Sequence, residues 1–306
     1  MSFDRLQDKI DEMRNPSVCG LDPSLGHIPP DIVRKHIVAR GETLASAADA
    51  YFDFNAGLID ALYDIVPAVK LQSAFYEALG PCGAVALKNT ADYASGRGMY
   101  VILDAKRGDI GSTAEAYSEG YLGTFKIGAT EFEPYNFDAM TVNAYLGSDG
   151  LVPFMETAKR RDKAIFVLAK TSNPSSGELQ DIDIGGGRRV YTAVGDMACA
   201  LSAGDTGRRG FERAGIVAGA TYPGELAALR ERLPHTFFLV PGYGAQGGGA
   251  QDAAAAFARG GAGAIVNSSR AIICAWKNTG AGGADYAEAA RAEALRMREA
   301  LRRAVY

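Results

Sequence analysis

The sequence predicts an α/β protein with the fold of a (β/α)8 TIM barrel, and two observations lead to this fold class. Eight short apolar runs recur along the chain, and segments of helical periodicity separate them, which is the pattern of a parallel sheet. Eight such units within 306 residues match the size of one barrel. Because no linker-like or repetitive tract divides the chain, we expect residues 1–306 to form a single domain.

The strands are predicted at the apolar runs, and the helices are predicted between them. The eight predicted strands are Ser17–Leu21, Ala68–Leu71, Met99–Leu103, Ala139–Val142, Ala164–Leu168, Gly215–Gly219, Thr236–Val240 and Ala264–Val266. The clearest helical stretches are Asp31–Tyr63, Ala74–Ser95, Thr113–Ile127, Val190–Ala200, Ala250–Arg259 and a final helix near Asp285–Ala304.

Composition and charge exclude several classes of protein. The net charge of −4 argues against a nucleic-acid partner, and no apolar run has the roughly 18 residues of a membrane span. The amphipathic, acid-containing segment MSFDRLQDKIDEMRNP does not fit a signal peptide. The four cysteines, at positions 19, 82, 199 and 274, form no C-x-x-C pair, which argues against a zinc site or a disulfide framework. We therefore expect a cytoplasmic protein.

Polar residues gather where the predicted strands end. Asp22 follows the first strand, Lys70 lies in the second, and Asp104 and Lys106 follow the third. Further polar groups follow later strands, at Asn143, at residues 170–173, at residues 241–249 and at residues 267–270. In a barrel all these carboxyl ends meet on one face, which is where active sites lie.

The stretch GYGAQG at 242–247 satisfies the dinucleotide pattern G-x-G-x-x-G, but its context does not. A dinucleotide site needs an acidic residue about 20 positions further on, and that region reads GAGAIVNSSR. A phosphate site fits better, because a glycine-rich loop after the seventh strand of a barrel can present backbone N–H groups to one phosphate. Arg270, after the eighth strand, could then bind the same phosphate through two hydrogen bonds.

The third strand ends in the alternating charges of VILDAKRGDIGST. Asp104 and Lys106 are expected on one face, because side chains alternate with a period of two along a strand. Lys70, on the neighbouring strand, could complete a Lys–Asp–Lys array beneath a pocket. A solvated cluster of ion pairs at the barrel rim is the alternative.

The stretch DAKRGDIGSTAEAY resembles the D-x-K-x-x-D signature of orotidine 5′-phosphate decarboxylases. The resemblance extends to VCGLDPS, FNAGLIDALYDIVPAVKLQSAFYE, MTVNAYLGSDG, VLAKTSNPSSGELQ, VPGYGAQGG and IVNSSRAI, and it is to the longer bacterial subgroup, often called type 2. It implies a homodimer with shared active sites that converts orotidine 5′-phosphate to UMP, the last step of de novo pyrimidine synthesis.

The resemblance also implies roles for ten residues. Asp22 and Lys70 would hold ribose hydroxyls, Asp104 would face the substrate carboxylate, and Lys106 would deliver a proton to C6. The remaining six would be Asp109 and Thr113, which reach into the partner's site, Ser172 and Pro241 at the pyrimidine, and Gln246 and Arg270 at the phosphate.

A structural role without function is the alternative for most of these residues. Asp22 and Ser172 could belong to turns, Lys70 and Gln246 could lie at the surface, and Pro241 could merely end its strand. Thr113 could cap a helix, and Arg270 could make an ion pair at a helix start. The histidines at 27, 36 and 235 fall outside the strand ends and are expected to be structural or at the surface.

Charged side chains alone would have to perform such a decarboxylation. The reaction leaves an electron pair at C6 that the ring cannot delocalise, and no residue pattern suggests an organic cofactor or a metal. A fixed ammonium can stabilise that carbanion and protonate it. Two rivals remain: a sister enzyme that uses Mg²⁺ on a sugar phosphate, and a nucleotide-binding regulator without activity. The first usually has a glutamate near the position of Lys70.

Overall fold

A computed structural model describes residues 1–244 and 247–306 of the chain and contains a closed barrel of eight parallel strands. The strands of the barrel are β1 (Ser17–Leu21), β2 (Ala68–Gln72), β3 (Tyr100–Arg107), β6 (Ala139–Val142), β7 (Ala164–Lys170), β8 (Ala214–Ala218), β9 (Phe238–Val240) and β10 (Ala264–Ser268). Each pairs in parallel with its neighbours, and β1 closes the barrel against β10. The predicted fold class is confirmed. Two short strands, β4 (Phe125–Ile127) and β5 (Thr130–Phe132), form a separate antiparallel hairpin.

Helices surround the barrel. The helices are α1 (Ser2–Met13), α2 (Pro30–Arg40), α3 (Leu44–Leu62), α4 (Ser73–Glu77), α5 (Gly80–Gly96), α6 (Gly111–Leu122), α7 (Val152–Arg161), α8 (Gly177–Gln180), α9 (Val190–Leu201), α10 (Pro223–Arg232), α11 (Ala250–Ala254), α12 (Arg270–Ile273) and α13 (Tyr286–Val305). Single 3₁₀ turns lie at Ser148–Gly150, Pro174–Ser176 and Ala275–Asn278. None of the helices in the described ranges is long and apolar enough to span a bilayer.

Alternation along the strands divides the apolar residues into two clusters. One cluster lies between the strands and the surrounding helices, and the other fills the barrel interior. The apolar stripe of α1, formed by Phe3, Leu6 and Ile10, belongs to the interior cluster together with Phe166 and Phe237. Helix α1 therefore packs against the interior side chains of the barrel. The sequence had indicated an amphipathic segment here but not this position.

Three predicted helices have different boundaries. The predicted helix at 31–63 is two helices, because Gly41 takes a left-handed φ of 75° between α2 and α3. The stretch at 74–95 is likewise interrupted at Gly80, where φ is 57°. The prediction at 250–259 is too long, since α11 ends at Ala254.

The prediction of helix up to Ile127 is wrong. Helix α6 ends at Leu122, and the next residues form β4, which pairs with β5 through the two-residue turn Gly128–Ala129. Gly128 has a φ of 60°, the backbone conformation that such tight hairpin turns require. A local turn with this geometry outweighs a weak helical pattern.

Candidate active site

A cavity of about 550 Å³ lies at the carboxyl ends of the barrel strands. Inward-facing residues from nearly every strand line it, because positions two apart share a face of a strand. Along β1 and β2, for example, Val18 and Ala68 lie in the interior cluster, whereas Asp22 and Lys70, further along, line the cavity. The cavity thus rests on the apolar filling of the barrel, on the face where barrel enzymes carry their active sites.

Asp104 is the centre of a charged array in this cavity. Lys70 Nζ donates to its Oδ2 at 2.9 Å, and Lys106 Nζ donates to its Oδ1 at 2.6 Å. The Gln72 amide also donates to Oδ2 at 3.0 Å, and the Thr141 hydroxyl donates to Oδ1 at 2.9 Å. The carboxylate therefore has two donors on each oxygen, one of them an ammonium. Such saturation fixes its orientation.

The charges of the array keep one another ionised. Burial alone would raise the pKa of Asp104, but Lys70 and Lys106 outweigh it and hold that pKa well below its usual range. Burial likewise opposes the charged form of Lys70, yet Asp104 and Asp22 raise the pKa of this ammonium above its ordinary value. The carboxylate and the buried ammonium therefore both stay charged across the neutral pH range.

The third strand is not regular where the array forms. Lys106 has a left-handed φ of 51°, and the register of β3 against β6 shifts between Leu103 and Arg107. The expected proximity of Asp104 and Lys106 is confirmed, but simple strand alternation is not the full cause. The Lys106 side chain remains 45% exposed, whereas that of Asp104 is 11% exposed, so the ammonium of Lys106 is the accessible end of the array.

Part of the cavity lining is apolar. Leu168, Val217 and Leu239, from β7, β8 and β9, contribute to it, and so does Phe75, which follows β2 in α4. Apolar lining near fixed charges strengthens their effect on a bound group, because less water can screen them.

Four of the remaining predicted substrate-binding residues, Asp22, Ser172, Pro241 and Arg270, line the cavity. A fifth, Gln246, lies outside the described residues. Asp22 Oδ1 is buried and finds no hydrogen-bond donor in the described part of the chain; Lys70 Nζ is 3.7 Å away. An unpaired buried carboxylate oxygen favours a ligand that brings its own donor, such as a hydroxyl.

Asp109 and Thr113 do not line this cavity within one chain. Asp109 is half-buried, and its Oδ1 accepts the N–H of Ile110 at 2.8 Å. Thr113 is exposed in the first turn of α6, where it borders a shallow surface pocket with Tyr117, Tyr121 and Tyr135. It does not act as the helix cap, since that position belongs to Ile110. Arg270 makes no ion pair within the described ranges, so the alternative of an ion pair at a helix start does not hold for it.

The sequence placed Asn267 among the polar residues that follow the strands, but Gln72, Thr141 and His27 were not predicted at the cavity. Gln72 and Thr141 bond Asp104, and His27 lines the cavity. The Nδ1 of His27 lies 3.1 Å from the Asp22 carbonyl oxygen, a contact that fits the expected structural role at the edge of the cavity. Strand parity was the available signal, since Gln72 follows Lys70 by two positions and Thr141 is a polar residue within an apolar run.

No group of three or more His, Cys, Asp and Glu side chains suited to a metal occurs among residues 1–244 and 247–306. Asp22 and Asp104 are the carboxylates that line the cavity, and Lys70 lies within 4 Å of both. An ammonium in that position would repel a divalent cation.

The fold and the site together define a class: a (β/α)8-barrel enzyme with a Lys–Asp–Lys array in its cavity. Residues 42–283 match the orotidine 5′-phosphate decarboxylase / HUMPS family. The chain is 43% identical to the orotidine 5′-phosphate decarboxylase of Rhodopirellula baltica, over 92% of this chain and 93% of that protein. It is 37% identical to the Clostridium perfringens protein of the same name, over 100% and 99% of the two chains.

A solved structure agrees with these matches. The structure of Leishmania donovani OMP decarboxylase superposes with a TM-score of 0.72 at 31% identity, covering 98% of each chain. The chain belongs to the orotidine 5′-phosphate decarboxylase / HUMPS family, and it is an enzyme, a carboxy-lyase.

Proposed function

We propose that this enzyme decarboxylates orotidine 5′-phosphate to UMP without a cofactor, with Lys106 as the proton donor, and that residues 1–306 form one catalytic domain. The observation that carries this proposal is the pair of ammonium groups on the two oxygens of Asp104, at 2.9 and 2.6 Å. The names of the relatives support the substrate. The four free, widely spaced cysteines support a reducing, cytoplasmic setting.

The proposed reaction needs one proton and no electron acceptor. The bond from C6 to the carboxylate carbon breaks, carbon dioxide leaves, and the electron pair stays on C6. The Lys106 ammonium, which is the accessible end of the array, stabilises this pair and then transfers a proton to C6. The neutral amine regains a proton from water after the product leaves.

Asp104 serves this reaction in two ways in our proposal. Its carboxylate holds the Lys106 ammonium at 2.6 Å and so determines where the proton is delivered. Because its pKa is held low, it also remains an anion when a second carboxylate, that of the substrate, comes near. Loss of carbon dioxide relieves the repulsion between the two anions.

The rest of the cavity supports a nucleotide ligand. The donor-free oxygen of Asp22 suits a ribose hydroxyl, and Ser172 and Pro241 border the space for the base. Arg270 begins α12 and lines the cavity together with Gly242 and Tyr243, and a guanidinium in that position can bind a phosphate. We assign Gln246 to the same phosphate from the sequence alone.

We also propose a homodimer in which Asp109 and Thr113 enter the partner's site. Both lie outside the cavity of their own chain. Ile110, the residue after Asp109, is 54% exposed, and Tyr145 is 79% exposed. Contact with a partner would remove such apolar surface from water.

An absorbance assay tests the proposed reaction. Purified enzyme is dialysed against EDTA and mixed with orotidine 5′-phosphate, whose loss is followed by ultraviolet absorbance. We expect full turnover with EDTA present. Activity that disappears and returns with Mg²⁺ would favour the sugar-phosphate rival, and binding of the nucleotide without turnover would favour a regulator.

A further inference from the structure

The Thr141 hydroxyl links the backbone of Lys106 to the side chain of Asp104. Thr141 lies in β6, is buried, and lines the cavity. Its Oγ1 accepts the backbone N–H of Lys106 at 2.9 Å and donates to Asp104 Oδ1 at 2.9 Å. The same Oδ1 accepts the Lys106 ammonium at 2.6 Å. The three residues therefore form a closed ring that holds Lys106 at both its backbone and its side-chain end.

The direction of each bond in this ring is determined by chemistry. A backbone N–H can only donate, and an ionised carboxylate can only accept. The low pKa of Asp104 keeps it ionised, so the hydroxyl must use its lone pair for Lys106 and its only proton for Asp104. A side chain without both functions, such as valine, could not replace it.

Lys106 needs such support because its backbone conformation is unfavourable. A left-handed φ of 51° is uncommon for a residue with a long side chain and persists where surrounding contacts hold it. The β3–β6 register is also interrupted around Lys106, between Leu103 and Arg107. The Thr141 hydroxyl supplies the acceptor for the Lys106 N–H at this interruption.

We propose that Thr141 is a positioning residue that maintains the left-handed backbone of Lys106 and the orientation of Asp104, and so aims the ammonium into the cavity. This inference rests on the proposed decarboxylation, because the rate of that reaction depends on the position of the Lys106 ammonium. A misplacement of about 1 Å in a reacting group can cost roughly 100-fold in rate. Ligand binding through distant residues such as Arg270 depends far less on it.

The test compares three variants in the orotidine 5′-phosphate assay. Thr141→Val keeps the shape and removes the hydroxyl, and we expect kcat to fall about 10- to 100-fold while KM changes less than about threefold. Thr141→Ser keeps the hydroxyl and should retain kcat within about threefold of wild type. The matched control is Thr157→Val, which removes a buried hydroxyl that bonds Ser118 on the outer helices, and should leave kcat unchanged.

A second measurement keeps this inference separate from the proposed function. Crystal structures of wild type and Thr141→Val should show the Lys106 backbone leaving the left-handed region in the variant. An unchanged kcat together with an unchanged Lys106 backbone would overturn the inference. If wild type itself does not decarboxylate the nucleotide, the proposed function fails, and the crystal comparison still decides the role of Thr141. Thr141→Ala replaces the valine variant if that protein does not fold.

Discussion

Lys70 and Lys170 are both buried lysines near the carboxyl ends of barrel strands, but their surroundings differ. The Lys170 side chain is 1% exposed, and its ammonium contacts both oxygens of Asp181 at 2.7 and 2.8 Å. It also lies 4.3 Å from the centre of the Tyr222 ring. The ammonium also donates to the Ser176 hydroxyl at 3.3 Å, and Arg189 lies 4.0 Å from Asp181. The Lys170 ammonium is therefore enclosed by its own partners, and none of it is left for a ligand.

The array around Lys70 has more ammonium groups than close carboxylates. Lys70 and Lys106 share a single close carboxylate, Asp104, and the Lys106 side chain is 45% exposed towards the cavity. Asp22 adds a second, more distant anion with a donor-free oxygen. A buried ion pair thus has a structural role when protein groups enclose it completely, as at Lys170. It is a candidate functional site when one of its charges faces a cavity.

The largest effect is expected at Lys106. Lys106→Ala should lower kcat by several orders of magnitude, because it removes both the partner of the carbanion and the proton donor. Its thermal stability should stay close to wild type, since the side chain is half-exposed. The assay is steady-state loss of orotidine 5′-phosphate, and the control is Lys88→Ala, which removes a partly exposed lysine of α5. Retention of more than a tenth of wild-type kcat would contradict the assignment of the proton donor.

A second prediction asks whether each active site contains residues from both chains of the proposed dimer. Lys106→Ala and Asp109→Asn should each be inactive alone. After subunit exchange about half of the dimers are mixed, and each mixed dimer has one intact and one doubly altered site, so activity should return to about a quarter of wild type. If Asp109 acts in its own chain, every site carries a lesion and mixing restores nothing.

The smallest effect on catalysis is expected at the ion pair of Lys170 and Asp181. Lys170→Met leaves Asp181 without its close partner, although that side chain is 27% exposed and can take up water. We expect the free energy of unfolding to fall by about 2 kcal/mol, with kcat within about twofold of wild type. KM should rise a few-fold, because the loop that Asp181 anchors carries Ser172.

Urea denaturation measures this change, and Lys88→Met is the matched control. Lys88 pairs with Asp92 on the surface of α5, so its loss should cost less than about 0.5 kcal/mol. A normal unfolding midpoint with a collapsed kcat in Lys170→Met would instead place Lys170 in the chemistry and remove the distinction between the two lysines.

The sequence predicted the barrel because apolar runs of strand length are a strong local signal. All eight barrel strands lie where they were predicted, within a few residues at their ends. The hairpin of β4 and β5 was missed because its strands are three residues each and exposed, so they carry no core pattern. The helix break at Gly41 depends on a single backbone conformation, which periodicity does not report.

The site was only partly predictable for a similar reason. Strand parity brought Asp104 and Lys106 to one face, but it gave no sign of the left-handed backbone at Lys106. That conformation depends on an acceptor from another strand, Thr141, which is distant in sequence. The sequence did not place His27 at the cavity, because this is a tertiary contact that no local pattern encodes.

The closure of the barrel has a consequence for how the enzyme is made. The charged array depends on β2 and β3, which are neighbours in both sequence and space, and this pairing can form while the chain is still being synthesised. Asp22 and Arg270 follow strands from opposite ends of the chain and meet only when β1 pairs with β10. Pairings across such sequence distances form slowly. Nucleotide binding should therefore appear last during folding, and the gain of activity would report the final closure of the barrel.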